Sequence, residues 1–341
     1  MTITQEPRIT IEQLRTLDAL HPELSTALLA VAEQMVNSTR SATLDQYLTP
    51  ASGLTKRAAA GEGSSKRKVK IVSVEVADGE TSYERPNGDL YFSRKWGVHT
   101  DVQVLREARG ADLFVLLYGS PGCGKTALVE AAFGSELETV LGSGDTEVSD
   151  LVGGYVQTPS GGFEWVDGAL LRAAEMGKPL LIDEVGLIDP KVMSVVYGLM
   201  DGRREYVVTS NPERGTVKAK QGFYVIAATN PNAPGVRLSE ALLSRFSIHA
   251  EMTTDYTLAK KLGVSGNAIT CATNLARKQQ SGEVMWSPQM RELLAFRDLE
   301  AKFGTAFAIS NLLAAAPEMD RPVVADVFTR IYGEDCRPAK I

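Results

Sequence analysis

Gly119, Ser120, Pro121, Gly122, Cys123, Gly124, Lys125 and Thr126 have the spacing G-x-x-x-x-G-K-[ST], which describes a loop that wraps a polyphosphate. Its glycines let successive backbone N–H groups converge on one point, and the N-terminus of a following helix adds partial positive charge there. In such a loop Lys125 neutralises the outer phosphates and assists their transfer, and Thr126 offers its hydroxyl to Mg²⁺. Ala127 completes the binding segment. A nucleoside triphosphate with Mg²⁺ is the expected ligand. No N-K-x-D guanine-reading motif occurs, so ATP is expected rather than GTP. Further along, the apolar run 179–182 ends in Asp183 and Glu184. Two carboxylates at the carboxyl end of a buried strand fit a hydrolytic pair. Asp183 would hold Mg²⁺ through its water shell, and Glu184 would orient and deprotonate the attacking water. Asn230 follows a second apolar run. Its amide either bonds the γ-phosphate or the lytic water, or forms a turn before Pro231.

These groups need elements that bring them together. The unbroken apolar run 113–118 has the character of a parallel strand buried on both faces. Residues 126–133 are helix formers, stopped by Gly134. Further strand candidates at 138–141, 180–183, 223–229 and 247–252 alternate with helical stretches. This predicts, over 111–252, an α/β nucleotide-binding domain, a P-loop αβα sandwich around a parallel sheet. From 253 to 341 strand character disappears and a smaller α-helical lid domain is expected. Ser287-Pro288 reads as an N-cap and first-turn pair, and Arg321-Pro322 as another helix start. Upstream, residues 1–48 form a helical segment, with a capping box at Thr10–Gln13 and a stripe of Leu24, Leu28, Val31 and Met35 that reads as local core. Residues 49–68 are a flexible basic linker. The cluster Lys56, Arg57, Lys66, Arg67, Lys68 and Lys70 reads as a solvated charge run in preference to a nucleic-acid contact. Residues 69–110 should hold a small β-meander and the entry to the nucleotide domain.

Composition narrows the classes further. The 341 residues are 44% hydrophobic and 23% charged with a net charge of −6, values of a globular chain and not of a wholly electrostatic nucleic-acid binder. No membrane span and no secretory leader are evident, and the three cysteines fit a reducing, cytoplasmic setting. The scattered histidines and cysteines form no metal-binding motif. Cys123, beside a helix N-terminus and a lysine, is expected to gain thiolate character and to oxidise readily.

Taken with residues 181–184 (Leu-Ile-Asp-Glu), 227–230 (Ala-Ala-Thr-Asn) and 238–246 (Leu-Ser-Glu-Ala-Leu-Leu-Ser-Arg-Phe), the phosphate loop resembles the AAA+ ATPases in motif order and spacing. The segments 144–153 and 163–170 are similar to those of the MoxR-type, dynein-related branch. The likeness covers roughly residues 95–300. It implies that Asn230 is the first sensor and that Arg245 is an arginine finger completing the neighbouring subunit's site, and so it implies a homo-oligomeric ring, usually of six. It implies that Arg291 is the second sensor, although residues 288–292 depart from the usual Gly-Ala-Arg pattern. Two inserts, at 155–163 and 205–217, look like that branch's hairpins, which face the central pore and substrate; plain surface hairpins are the alternative. The resemblance implies a Mg²⁺-dependent ATPase that remodels protein clients, with any von Willebrand factor A-domain partner on a separate chain. Two other readings stand beside it: a nucleic-acid-stimulated motor or loader, and a nucleotide-gated scaffold with little turnover.

Overall fold

The alternation of apolar and polar runs becomes a layered structure in chain order. Residues 73–76 and 80–338 are described by the structure, a computed structural model. The expected N-terminal helical segment and the basic linker lie outside these residues. Strands β1 (Ser73–Val76), β2 (Glu80–Glu84) and β3 (Leu90–Phe92) form an antiparallel meander. Its second turn is held by Asn87 Oδ1, which accepts from Asp89 N at 3.1 Å. The short hairpin β4 (Lys95–Trp96) and β5 (His99–Thr100) follows. Thr100 then opens α1 (Asp101–Gly110) through a reciprocal capping box with Gln103, satisfying two N–H groups that a helix start would otherwise leave unpaired.

The central unit runs β6 (Val115–Tyr118), α2 (Lys125–Phe133), β7 (Glu138–Leu141), α3 (Val148–Val152), the hairpin β8 (Gly153–Gln157) and β9 (Phe163–Asp167), α4 (Ala169–Met176) and β10 (Pro179–Asp183). It continues through α5 (Pro190–Met193), α6 (Tyr197–Met200), the hairpin β11 (Glu205–Val207) and β12 (Thr216–Lys218), β13 (Tyr224–Thr229), α7 (Glu240–Leu243) and β14 (Ile248–Glu251). Five of these strands make one sheet in the order β14-β6-β13-β10-β7, with every pairing parallel. All six residues of β13 are buried, so both faces of the sheet are covered, as its unbroken apolar sequence requires. The strands occupy the predicted positions to within two residues at either end.

The remaining residues are helical: α8 (Tyr256–Lys261), α9 (Gly266–Gln280), α10 (Met290–Phe303), α11 (Thr305–Ala315) and α12 (Arg321–Tyr332). They pack around a hydrophobic cluster of their own, built on Leu275, Leu293, Phe296, Leu313 and Phe328, apart from the cluster of the sheet. The first turn of α10 corrects one expectation. Ser287 does not cap it; Gln289 does, in a capping box with Glu292. Ser287 is buried, and its hydroxyl donates to Gln279 Oε1 at 2.7 Å. A serine already committed to a side chain on another helix is not available to a helix start two residues later.

Candidate nucleotide site

A parallel sheet sends every strand's carboxyl end to one edge, and the strand order here gathers three functional segments on that edge. The loop 119–124 leaves β6, Asn230 leaves the neighbouring β13, and Asp183 ends β10 on the far side of β13. The loop enters α2 through Gly124, which has φ 102° and no side chain to cap the helix. The first N–H groups of α2 therefore remain for an anion. Lys125 is only 5% exposed. Its ammonium donates to Gly119 O at 2.8 Å and to Ser120 O at 3.2 Å, so the loop's own carbonyls hold the charge at its centre. Thr126 Oγ1 donates to Asp183 Oδ2 at 2.7 Å. The hydroxyl and carboxylate predicted to flank a cation thus meet directly.

Glu184 adopts a left-handed conformation, with φ 51° and ψ 40°, which costs a non-glycine residue about 1 kcal/mol or more. The turn is fixed from two sides. Glu184 N donates to Asp183 Oδ1 at 3.1 Å, and Glu184 O accepts from Leu187 N at 3.0 Å. Gly142, at the exit of β7, donates to Asp183 O at 2.7 Å, and a Cβ there would lie 2.7 Å from Glu184 O. Only glycine permits that approach, so residue 142 helps set the backbone turn at Glu184. The turn expected at Asn230 is present. Asn230 Oδ1 accepts from Asn232 N at 3.2 Å to form the turn, while the amide NH₂ stays uncommitted.

The other candidates lie around this core. The backbone N–H of Arg291 donates to Gly122 O at 3.2 Å, so α10 starts against the phosphate loop with the Arg291 side chain exposed. Arg245 follows α7 and bonds Asp201, with Nε 2.8 Å from Oδ1 and Nη2 3.1 Å from Oδ2. Cys123 is fully buried. Burial removes the access that ready oxidation requires, which corrects the expectation of a readily oxidised thiol.

A model of the AAA domain, dynein-related subfamily, matches residues 114–246. The chain is 32% identical over 230 residues to YojN, an uncharacterized protein of Bacillus subtilis, covering 62% of this chain and 75% of that one. This chain is a dynein-related, MoxR-like AAA+ protein. It is also 37% identical over 134 residues to NorQ of Paracoccus denitrificans, with 38% of this chain and 48% of NorQ covered. Midasin of Giardia intestinalis is 34% identical over 139 residues, 39% of this chain and 3% of midasin. The chain therefore spans about half of NorQ and a small part of midasin.

This AAA+ protein also has site residues that its sequence did not single out. Arg94 bridges the phosphate loop to the end of the sheet: Nη2 donates to Cys123 O at 2.7 Å and Nη1 to Thr253 O at 3.0 Å. Its own N–H is held by Asp101 Oδ1 at 3.0 Å, and the other carboxylate oxygen of Asp101 accepts from Tyr91 at 2.5 Å. Burial raises the Asp101 carboxyl above its ordinary value, opposing the bonds from Tyr91 and from backbone N–H groups that lower it. Burial, then the Asp101 charge, holds the Tyr91 phenol well above its own. Arg94 borders a cavity of about 650 Å³, also lined by Lys95, Trp96, His249, Thr253 and Asp255. The one sequence signal for this bracket was the Thr-Asp pair that opens α1, because the Arg94 contact to Thr253 joins residues far apart in the chain.

Both predicted inserts are antiparallel hairpins. On the first, Tyr155 packs edge-on against Trp165, and Tyr155, Val156 and Phe163 are exposed. Arg214, in the loop of the second, grips Asp167 at the base of the first, with Nε 3.0 Å from Oδ1 and Nη2 2.8 Å from Oδ2. Trp165 Nε1 also donates to Asp167 Oδ1, at 2.7 Å. The Arg214 bonds, foremost, hold the Asp167 carboxyl below its ordinary range. No helix among the described residues is long and apolar enough to cross a membrane.

Proposed function

We propose that the chain binds ATP with Mg²⁺, hydrolyses it within a ring of like subunits, and uses the cycle to remodel a protein partner. The observation that carries the reading is the 2.7 Å contact between Thr126 and Asp183, beside the Lys125 ammonium and the strained Glu184 turn. Family membership supports the ATPase class. The hydroxyl and the carboxylate are hard oxygen donors carrying a single charge, and no group of three or more His, Cys, Asp or Glu side chains among the described residues could form an all-protein cage. That donor set fits Mg²⁺, which keeps much of its water and takes the rest of its ligands from phosphate. Bound there, the ion would neutralise charge building on the phosphate oxygens.

The chain's own groups supply the remaining work. Lys125 leaves its carbonyl partners to pair with the outer phosphates, the α2 N-terminus binds them from below, and Glu184 takes a proton from water aligned with the γ-phosphate. The free NH₂ of Asn230 bonds that water or the phosphate. The Arg94 cavity is the natural seat for the base, with Trp96 as a stacking surface. Arg291 reaches the phosphates from the lid, and Arg245 serves the adjoining subunit's site. The exposed aromatic hairpin faces the client, which includes a von Willebrand factor A-domain protein among its candidates.

The test is ATP turnover with and without Mg²⁺, together with sedimentation of the protein in ATP. Mg²⁺-dependent hydrolysis by an oligomer is expected, and Arg245→Ala should bind ATP without hydrolysing it. Full-speed turnover by a strict monomer removes the ring. A pull-down with Glu184→Gln in ATP should retain a protein; retention of nucleic acid alone would favour a motor or loader.

A further inference from the structure

We infer that Asp201 and Tyr197 are positioning residues for Arg245, holding its guanidinium as a preset fork for the neighbouring subunit's phosphate. The inference rests on the reading of Arg245 as a residue that acts in trans. An arginine side chain on a surface has many rotamers, and fixing them at the moment of reaction opposes catalysis. Arg245 is already fixed on three sides. Its Nε and Nη2 pair side-on with the two Asp201 oxygens at 2.8 and 3.1 Å. Nη1 donates to Ala241 O at 2.5 Å. Tyr197 lies under the guanidinium plane, with 4.2 Å from Cζ to the ring centroid.

A guanidinium has five N–H bonds. Three are used here, which leaves two for a ligand, and the side chain keeps 23% of its surface exposed. The clamp thus orients the charge without consuming it. The clamp itself is braced. Tyr197 and Asp201 sit one turn apart, with Asp201 N donating to Tyr197 O at 2.9 Å. The Tyr197 hydroxyl shares a 2.9 Å bond with Ser239, the N-cap of α7. Asp201 also leads directly into the β11–β12 hairpin, and Arg204 N donates to Asp201 O at 3.0 Å. Displacing that hairpin would therefore move the carboxylate that aims Arg245.

The test compares wild type, Asp201→Ala, Asp201→Asn, Tyr197→Leu and Arg245→Ala in steady-state ATP hydrolysis, with binding of a fluorescent ATP analogue and thermal melting as controls on folding. Asp201→Ala should lower kcat about 10- to 100-fold while KM and analogue binding stay within about twofold, because the variant's own pocket is intact. Asp201→Asn, of the same shape, should fall between it and wild type, and Tyr197→Leu should lose about three- to tenfold. Mixing Asp201→Ala with inactive Lys125→Ala subunits should restore turnover, since the second supplies a well-held Arg245 to the first. Asp201→Ala at wild-type kcat with Arg245→Ala inactive overturns the positioning role and leaves the ring reading intact. Fully active Arg245→Ala overturns both. Loss of analogue binding in both Asp201 variants, or no rescue on mixing, assigns Asp201 a structural role and overturns the proposal.

Discussion

The phosphate-loop half of the site and the Arg245 edge use the same chemistry, charge held by hydrogen bonds, toward opposite ends. In the first, two charges are satisfied inside the chain, Lys125 by two loop carbonyls and Asp183 by Thr126. In the second, Arg245 is held but keeps N–H groups free, and the β8–β9 hairpin likewise exposes Tyr155, Val156 and Phe163. One half is a pocket beside a fully buried strand, whereas the other is a presented surface. Changes in the pocket should therefore be felt by nucleotide, and changes at the edge by subunits and clients.

The largest effect that divides the two belongs to Lys125. Removing its ammonium leaves loop carbonyls and phosphate oxygens facing each other uncompensated. Lys125→Ala should weaken ATP binding at least about 100-fold, read by equilibrium titration with a fluorescent analogue. Wild-type affinity would mean that the loop is not the phosphate site. Next is Glu184→Gln, which keeps size and loses the base. Turnover should fall about 10²- to 10³-fold with ATP affinity unchanged, in single-turnover measurements. Parallel loss of binding would show that the strained turn at Glu184 supports the pocket in addition to chemistry.

Those two residues were legible in the sequence because their signals are local. A glycine spacing, an apolar strand and two carboxylates all fall within short windows, and a parallel sheet has few ways to arrange them. Asn230 was legible as ambiguous, and of its two readings the turn before Pro231 is the one the fold displays. What stayed hidden was made by distance. Arg94 reaches Thr253, and Arg214 reaches Asp167, across separations that no periodicity records. Ser287 misled because its hydroxyl is taken by Gln279 on the preceding helix. Burial of Cys123 depended on the packing of the whole loop.

The edge can be probed through the brace between its hairpins. Arg214 bonds lower the Asp167 carboxyl pKa, so the pair stabilises the fold fully above the ordinary aspartate range. That contribution is lost as pH falls through the depressed value of the folded state. Asp167→Asn should cost about 2 kcal/mol at neutral pH, a Tm decrease of several degrees, with ATP affinity unchanged. The gap between wild type and variant should close in melts run toward pH 3. A constant gap would mean that the shape of Asp167, and not its charge, holds the hairpins.

The smallest effect should come from the seam between the halves. Arg291 touches the loop through its backbone, and its side chain is exposed. Arg291→Ala keeps the N–H that donates to Gly122 and removes only the guanidinium, so the approach of α10 to the loop should survive. An exposed charge near a phosphate is screened by salt. ATP affinity should therefore fall about three- to tenfold at low ionic strength, with a smaller loss at high salt. That salt dependence is the discriminating readout, because a lost packing contact would weaken binding equally at both. A variant indistinguishable from wild type at low salt would remove Arg291 from the phosphate site and confine the lid's role to closing over Gly122.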